Sequence, residues 1–152
     1  MGAFLRHQHT LAAALAVAAL ARAPALAGVL EQYKICGGDA RVTCVIDGDT
    51  IMHQGLRIRI IDIDAPEISA PKCAGEAALG HKARHRLRDL LNGGQVQIVK
   101  FGSRDEDRYG RKLRLVVVNG RSAGDILITE GLAWPWEGRR HDWCRALGQK
   151  PK

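Results

Sequence analysis

Ile46-Asp47-Gly48-Asp49-Thr50 and Leu56-Arg57-Ile58-Arg59-Ile60-Ile61-Asp62-Ile63-Asp64-Ala65-Pro66-Glu67 are the two segments from which the rest of the chain is read. Val42, Cys44 and Ile46 alternate with Thr43 and Val45, which predicts a strand over 41–46. Asp47-Gly48 is a hairpin signal, and Thr50–His53 makes a short second strand. Gln54-Gly55 turns the chain again into a long, isoleucine-rich third strand over 56–63, which Pro66 stops. Carboxylates stand at the turns (Asp47, Asp49, Asp64, Glu67), and guanidiniums lie within an apolar strand (Arg57, Arg59). Carboxylates close to arginines suit a site that holds a hard cation and a phosphate together.

Beyond Glu67, residues 68–75 read as a loop. A helix is predicted over 76–92, with Leu79, Ala83, Leu87 and Leu90/Leu91 at helical spacing and Asn92-Gly93 as its C-terminal cap. Its other face carries His81, Lys82, Arg84, His85, Arg86 and Arg88, the pattern of a solvated face. Strands are predicted over 95–101 and 111–118, separated by the charged loop 102–110 and ended by the Asn119-Gly120 turn. Ser122 caps a short helix with Asp125 three residues on, and Gly131 closes it. Three strands, a helix, two strands and a helix is the order of a mainly β (α+β) five-stranded OB-fold barrel. The fold alone does not specify chemistry.

The chain has 152 residues, enough for one domain with a core. Residues 1–27 read as a signal peptide: Arg6 is the positive start, Leu11–Ala21 the apolar run, and Ala25-Leu26-Ala27 the cleavage site. The apolar run is well short of the ~20 residues a membrane span needs. The expected organisation is therefore signal peptide 1–27, lead-in 28–40, domain 41–133 and a Trp-rich tail 134–152. Export to the periplasm or outside the cell is expected, with no stable membrane insertion after cleavage, as a monomer. Of the 23 Lys and Arg residues, Arg6 and Arg22 go with the signal, leaving 21 bases against 16 acids. That excess favours polyanionic partners.

Four cysteines, Cys36, Cys44, Cys73 and Cys144, remain after the signal and predict two disulfides. Of the three possible pairings, Cys36–Cys44 and Cys73–Cys144 are favoured: one closes a short Gly-Gly-Asp loop, the other ties down the tail. A zinc site lacks the usual C-x-x-C or H-x-x-H spacing.

Asp49 follows a tight turn and Asp64 ends a strand, so two hard oxygen ligands could converge. Only two carboxylates imply modest affinity, roughly 10⁻⁴–10⁻³ M. Arg57 and Arg59 share a strand face, and Arg111 opens a later strand. Arg59 and Asp64 are five apart, so a regular strand would point them to opposite faces. One site for both needs a bulge or twist near residues 62–64.

Taken together, Asp47-Gly48-Asp49-Thr50, Arg59, Asp64-Ala65-Pro66-Glu67, Asp107-Arg108-Tyr109-Gly110-Arg111 and Gly131-Leu132-Ala133 resemble the staphylococcal nuclease family, over about 42–133. The resemblance implies an OB-fold, calcium-dependent (Ca2+) phosphodiesterase acting on DNA and RNA. It implies that Asp49, Asp64 and the backbone carbonyl of Ala65 ligate the ion, where the family usually has Thr at the last position. Glu67 matches the proposed general base, and Arg59 and Arg111 match the arginines that grip the scissile phosphate. Tyr109 matches a substrate-contacting tyrosine, and Arg108 stands where lysine is typical. Beyond the Gly-Leu-Ala segment, Trp134-Pro135-Trp136 replaces a region that holds a tyrosine. Trp136 is the candidate there for stacking on a base or sugar, with packing against the barrel as the alternative. The family's long C-terminal helix is not legible, and the Cys144 bridge is expected to take over its anchoring role. No base-reading element is implied, so little sequence specificity is expected. The competing reading is a non-catalytic OB-fold binder of single-stranded nucleic acid, which would be expected to lose Glu67, an arginine or a metal aspartate.

Overall fold

The computed structural model describes residues 32–38 and 42–152. The expected signal peptide and its cleavage site lie outside the described residues. The elements run β1 (Lys34–Ile35), β2 (Cys44–Asp47), β3 (Thr50–His53), β4 (Leu56–Ile60), β5 (Ile63–Asp64), α1 (Ala74–Asn92), β6 (Val96–Lys100), β7 (Lys112–Val118), β8 (Arg121–Ser122), α2 (Ala123–Thr129), β9 (Trp134–Pro135) and α3 (Trp143–Ala146).

The longer elements keep the expected order of three strands, helix, two strands, helix. They build one mixed seven-stranded sheet in the order β1-β2-β3-β4-β7-β6, with β8 on β7. The hairpins pair antiparallel, whereas β4 runs parallel to β7 and β1 parallel to β2. Among the described residues no ladder joins β1 to β6, so the fold is mainly β with helices packed on a mixed sheet. The turns between hairpin strands follow the chemistry of their residues. Gln54-Gly55 and Asn119-Gly120 all have positive φ, as two-residue hairpin loops require.

Gly48 is there for a different reason. It is not among the positive-φ glycines, but a Cβ on it would lie 2.7 Å from both Ala65 Cβ and Ala83 Cβ. The turn after β2 is thus pressed between the Ala65 methyl group and α1, and only hydrogen fits. Gly48→Ala is expected to destabilise the protein by about 1–3 kcal/mol through overpacking, measured by denaturant unfolding.

The third strand differs from the sequence expectation. It ends at Ile60, the chain turns at 61–62, and Ile63–Asp64 pairs separately with Trp134–Pro135. Ile61 N–H donates to the Arg114 carbonyl and Trp136 N–H to the Asp62 carbonyl, so the turn is held from both sides. The isoleucine-rich composition of residues 56–63 carries no sign of this break. The parity conflict between Arg59 and Asp64 does, and the turn resolves it.

The core is formed by Val45, Ile51, Ile58, Ile60, Ile63, Val116 and Val118 of the sheet, with Leu87 and Leu91 of α1 and Leu127 of α2. On α1 the buried positions are Glu76, Gly80, Ala83, Leu87 and Leu91, one helical stripe. Ser122 caps α2 by accepting from Asp125 N–H, as its sequence predicts. The lead-in adds a short strand the sequence did not announce. Asn92 at the end of α1 clamps Tyr33 there through both its backbone N–H and its carbonyl.

Disulfides join Cys36 to Cys44 and Cys73 to Cys144. Among the described residues no helix is long and apolar enough to cross a membrane.

Candidate active site

The end of β2, the end of β4, β5, the charged loop and the tail meet around one cleft of about 1000 Å³. Its wall includes Asp47, Arg57, Arg59, Glu67, Arg108, Tyr109, Arg111, Trp136 and Arg140. Of the sequence-predicted side chains, only Asp49 and Asp64 stand behind the wall rather than in it. They are 2% and 0% exposed.

Asp49 is fixed by its neighbours. Its backbone carbonyl accepts from Ile60 N–H, its Oδ1 accepts from Thr50 Oγ1 at 2.8 Å, and its Oδ2 accepts from Ala65 N–H at 3.3 Å. Arg59 Nη1 lies 2.7 Å from the same Oδ2. The Ala65 bond brings the segment after β5 against the turn after β2. Asp64 Oδ2 accepts from His141 N–H at 2.9 Å and from Trp143 Nε1 at 3.3 Å, with His141 Nδ1 at 3.3 Å. Asp64 Oδ1 is buried and has no hydrogen-bond partner among the described residues.

The two sheet arginines are tightly engaged. Arg59 gives Nη1 to the Ile60 carbonyl and Nη2 to the Ile63 carbonyl besides its pair with Asp49. It keeps 7% of its side chain exposed, on the floor of the cleft, with Trp136 5.2 Å from the guanidinium. Arg111 Nε donates to Asp107 Oδ2 at 2.6 Å and Nη1 to Thr50 Oγ1 at 3.3 Å. Thr50 in turn donates to Asp49, so one relay runs from Arg111 to the buried carboxylate. Tyr109 is exposed at the rim, under Arg108 at 4.8 Å and 5.5 Å from Arg111. Glu67 accepts from Ser69 Oγ at 3.3 Å, and its own N–H reaches Glu76 at 3.4 Å.

Three residues of this cluster were not assigned to the site from sequence. Asp47 Oδ1 accepts from Asp49 N–H at 3.2 Å, and its carboxyl is pushed up to about 7 by burial and by the Asp49 charge beside it. Arg140 pairs with Glu67 Oε1 and stands 3.7 Å from Asp64 Oδ1. Partial burial works against its charge, but Asp49, Glu67, Asp64 and Asp47 together raise its pKa. His141 holds Asp64. The nearest signal in the sequence was Cys144, which places the tail beside the loop after Glu67. The tryptophans divide their work: Trp143 is buried on Asp64, Trp134 meets His141 and Trp143 edge-on, and Trp136 faces the cleft.

This donor set fits a divalent cation. The oxygens are hard, Asp49 and Asp64 are buried carboxylates on adjoining segments, and Asp64 Oδ1 is a buried acceptor with no hydrogen-bond partner among the described residues.

The family model described as staphylococcal nuclease homologue matches residues 57–146. The chain therefore belongs to the staphylococcal nuclease family. It is 38% identical over 136 residues to a micrococcal nuclease of Shigella flexneri, covering 80% of this chain and 72% of that protein. It is 34% identical over 141 residues to Protein ParB of Escherichia coli, covering 82% and 74%. It is 38% identical over 93 residues to endonuclease YncB of Bacillus subtilis (strain 168), covering 58% of this chain but 43% of that longer protein. The family and these relatives support a nuclease function on nucleic acid. The match reaches Ala146 and so takes in the tail that carries Trp136, Arg140 and His141.

Proposed function

We propose that this chain is an exported, calcium-dependent endonuclease, built on a closed OB-type barrel, that hydrolyses phosphodiester bonds of DNA and RNA with little sequence specificity. The observation that supports it most is the convergence on one cleft of Arg59, Glu67, Arg111 and the buried Asp49–Asp64 region, drawn from four separate segments of chain. Export accords with the two disulfides and with the signal-like first 27 residues.

In this reading Asp49, Asp64 and the Ala65 carbonyl hold the ion. When bound, calcium supplies Lewis-acid polarisation of a phosphoryl oxygen and makes a bound water more acidic. The chain's own groups do the rest. Arg111 and Arg59 present guanidinium donors to the phosphate, whose charge grows towards the five-coordinate transition state. Glu67 lies on the cleft wall where it can orient a water and accept its proton. Trp136 and Tyr109 offer stacking faces to flanking bases or sugars. Arg57, Lys72, Arg104 and Arg108 line the same cleft with no carboxylate partner among the described residues, and they favour a polyanion over a neutral ligand.

The test is degradation of plasmid and RNA by the oxidised chain 28–152, with calcium titrated from zero. Cleavage is expected to rise with calcium, stop with EGTA and be poorly rescued by magnesium. A thermal melt gives an independent readout. Calcium at about 100 Kd is expected to add about 2.7 kcal/mol of stability, and Asp64→Asn to lose most of that gain. Equal cleavage in excess EDTA would rule out the metal role. Oligonucleotide binding without cleavage at any calcium concentration would leave the single-strand binder instead.

A further inference from the structure

Arg140 lies beyond the motifs that carry the resemblance over 42–133, though within the family match, and its guanidinium stands among the carboxylates. The side chain is 43% exposed, against 7% for Arg59 and 14% for Arg111. The sheet arginines spend their donors on protein acceptors: Arg59 on Asp49 and two carbonyls, Arg111 on Asp107 and Thr50. Among the described residues Arg140 uses only Nη1, on Glu67 and, more distantly, on Asp64 Oδ1. A guanidinium has five N–H donors in a planar fork. Most of Arg140's therefore remain open in a side chain that lines the cleft.

The charges point the same way. Five carboxylates line or back the cleft: Asp47, Asp49, Asp64, Glu67 and Asp107. Arg59 and Arg111 offset two of them, and a divalent ion would offset two more. Arg140 is the guanidinium that pairs with Glu67, and it joins Arg57, Lys72, Arg104 and Arg108 among the cations that line the cleft.

We propose that Arg140 is a third guanidinium for the substrate phosphate, resting on Glu67 in the free protein and turning its donors to a non-bridging phosphoryl oxygen when nucleic acid binds. The inference rests on the nuclease reading above. No covalent bond changes hands; one anionic acceptor replaces another. Chemistry then favours the exchange further. As Glu67 accepts the water's proton its charge disappears, while the phosphoryl oxygens gain charge. The attraction on Arg140 thus passes from Glu67 to the phosphorane along the reaction coordinate, and such a contact is stronger in the transition state than in the ground state.

The test separates contact with phosphate from mere support of Glu67. Binding of a short fluorescein-labelled oligothymidylate is measured in calcium across a salt series, for Glu67→Gln and for Glu67→Gln with Arg140→Ala. The Cys73–Cys144 bond keeps the tail seated in both. Removing Arg140 is expected to weaken binding and to flatten the slope of log K against log salt by about 0.7, the value of one phosphate contact on a single strand. Arg140→Lys in the same background is expected to keep the slope, since it keeps the charge. In the active background, Arg140→Ala is expected to lower kcat about 10²-fold. Identical affinity and slope with and without Arg140 would overturn the proposal and leave Arg140 as a strut for Glu67. No binding by Glu67→Gln itself would overturn the nuclease reading and the proposal with it.

Discussion

Arg111→Ala is expected to lower kcat on DNA and RNA by about 10²–10³-fold, the cost of removing one preorganised donor from a developing anion, while the protein stays folded. The structure gives both halves of this expectation. Arg111 sits immediately before β7, held by Asp107 through Nε and by Thr50 through Nη1, so its fork is fixed before substrate arrives. Little orientational freedom is left to lose on binding, which is the condition under which a donor contributes most to the transition state. Its removal also leaves no stranded charge. Asp107 still accepts from the backbone N–H groups of Tyr109 at 2.8 Å and residue 111 at 3.0 Å, and Thr50 still donates to Asp49. Unfolding free energy should therefore move by no more than about 1–2 kcal/mol. Arg111→Lys should recover little, because an ammonium cannot reproduce the paired contacts of the fork. Undiminished cleavage by a folded Arg111→Ala protein would remove Arg111 from the site.

The parts of the molecule that were legible in advance are those whose information is local. The second strand is read residue for residue as Thr50–His53 because two turn pairs bound it. Helix α1 announces its buried face through Ala83, Leu87 and Leu91, and the cap on α2 is read from Ser122 and Asp125. The break at 61–62 was visible only indirectly, since isoleucine favours a strand on either side of a turn. What forces that turn is remote: Arg114 and Trp136 bond to it from β7 and the tail. The tail itself has no period because neither a helical nor a sheet repeat organises it. Trp136 N–H on Asp62, His141 and Trp143 on Asp64, and Cys144 on Cys73 fix it point by point. Arg140 and His141 went unassigned for the same reason. They reach Asp64 across more than seventy residues of chain, and no spacing rule connects them. Asp47 was noticed as a turn carboxylate, but its proximity to Asp49 inside a sealed turn is a property of packing.

Replacing Cys73 and Cys144 with serine is expected to cost both stability and activity, and by separable routes. The bond closes a separation of 71 residues, and loop-closure entropy alone predicts a loss of about 4 kcal/mol. Cys36–Cys44 closes a separation of 8, for which the same reasoning gives about 2.6 kcal/mol. The larger difference lies at the cleft. Apart from Cys144, the tail is tied down by a two-residue pairing of β9 with β5, by donors to Asp62 and Asp64, by Arg140 on Glu67, by the Gln149 side chain on Gly75 N–H and by Lys152 N–H on the Lys72 carbonyl. Freed, it would take with it Trp136 above Arg59, Arg140 on Glu67, and the groups that fix Asp64 Oδ2. At a temperature where the variant remains folded by circular dichroism, kcat is therefore expected to fall about 10²-fold, the order of losing one positioned donor. Dithiothreitol should do the same to the wild type. The Cys36→Ser, Cys44→Ser protein provides the control, since its bond ties the lead-in to the start of β2 and neither cysteine lines the cleft; it should melt earlier and cut as well as the wild type. Full activity in the folded Cys73/Cys144 variant would mean that the tail covers the site without taking part in it. Loss in that variant alone would make the tail, through one covalent bond, a working wall of the cleft.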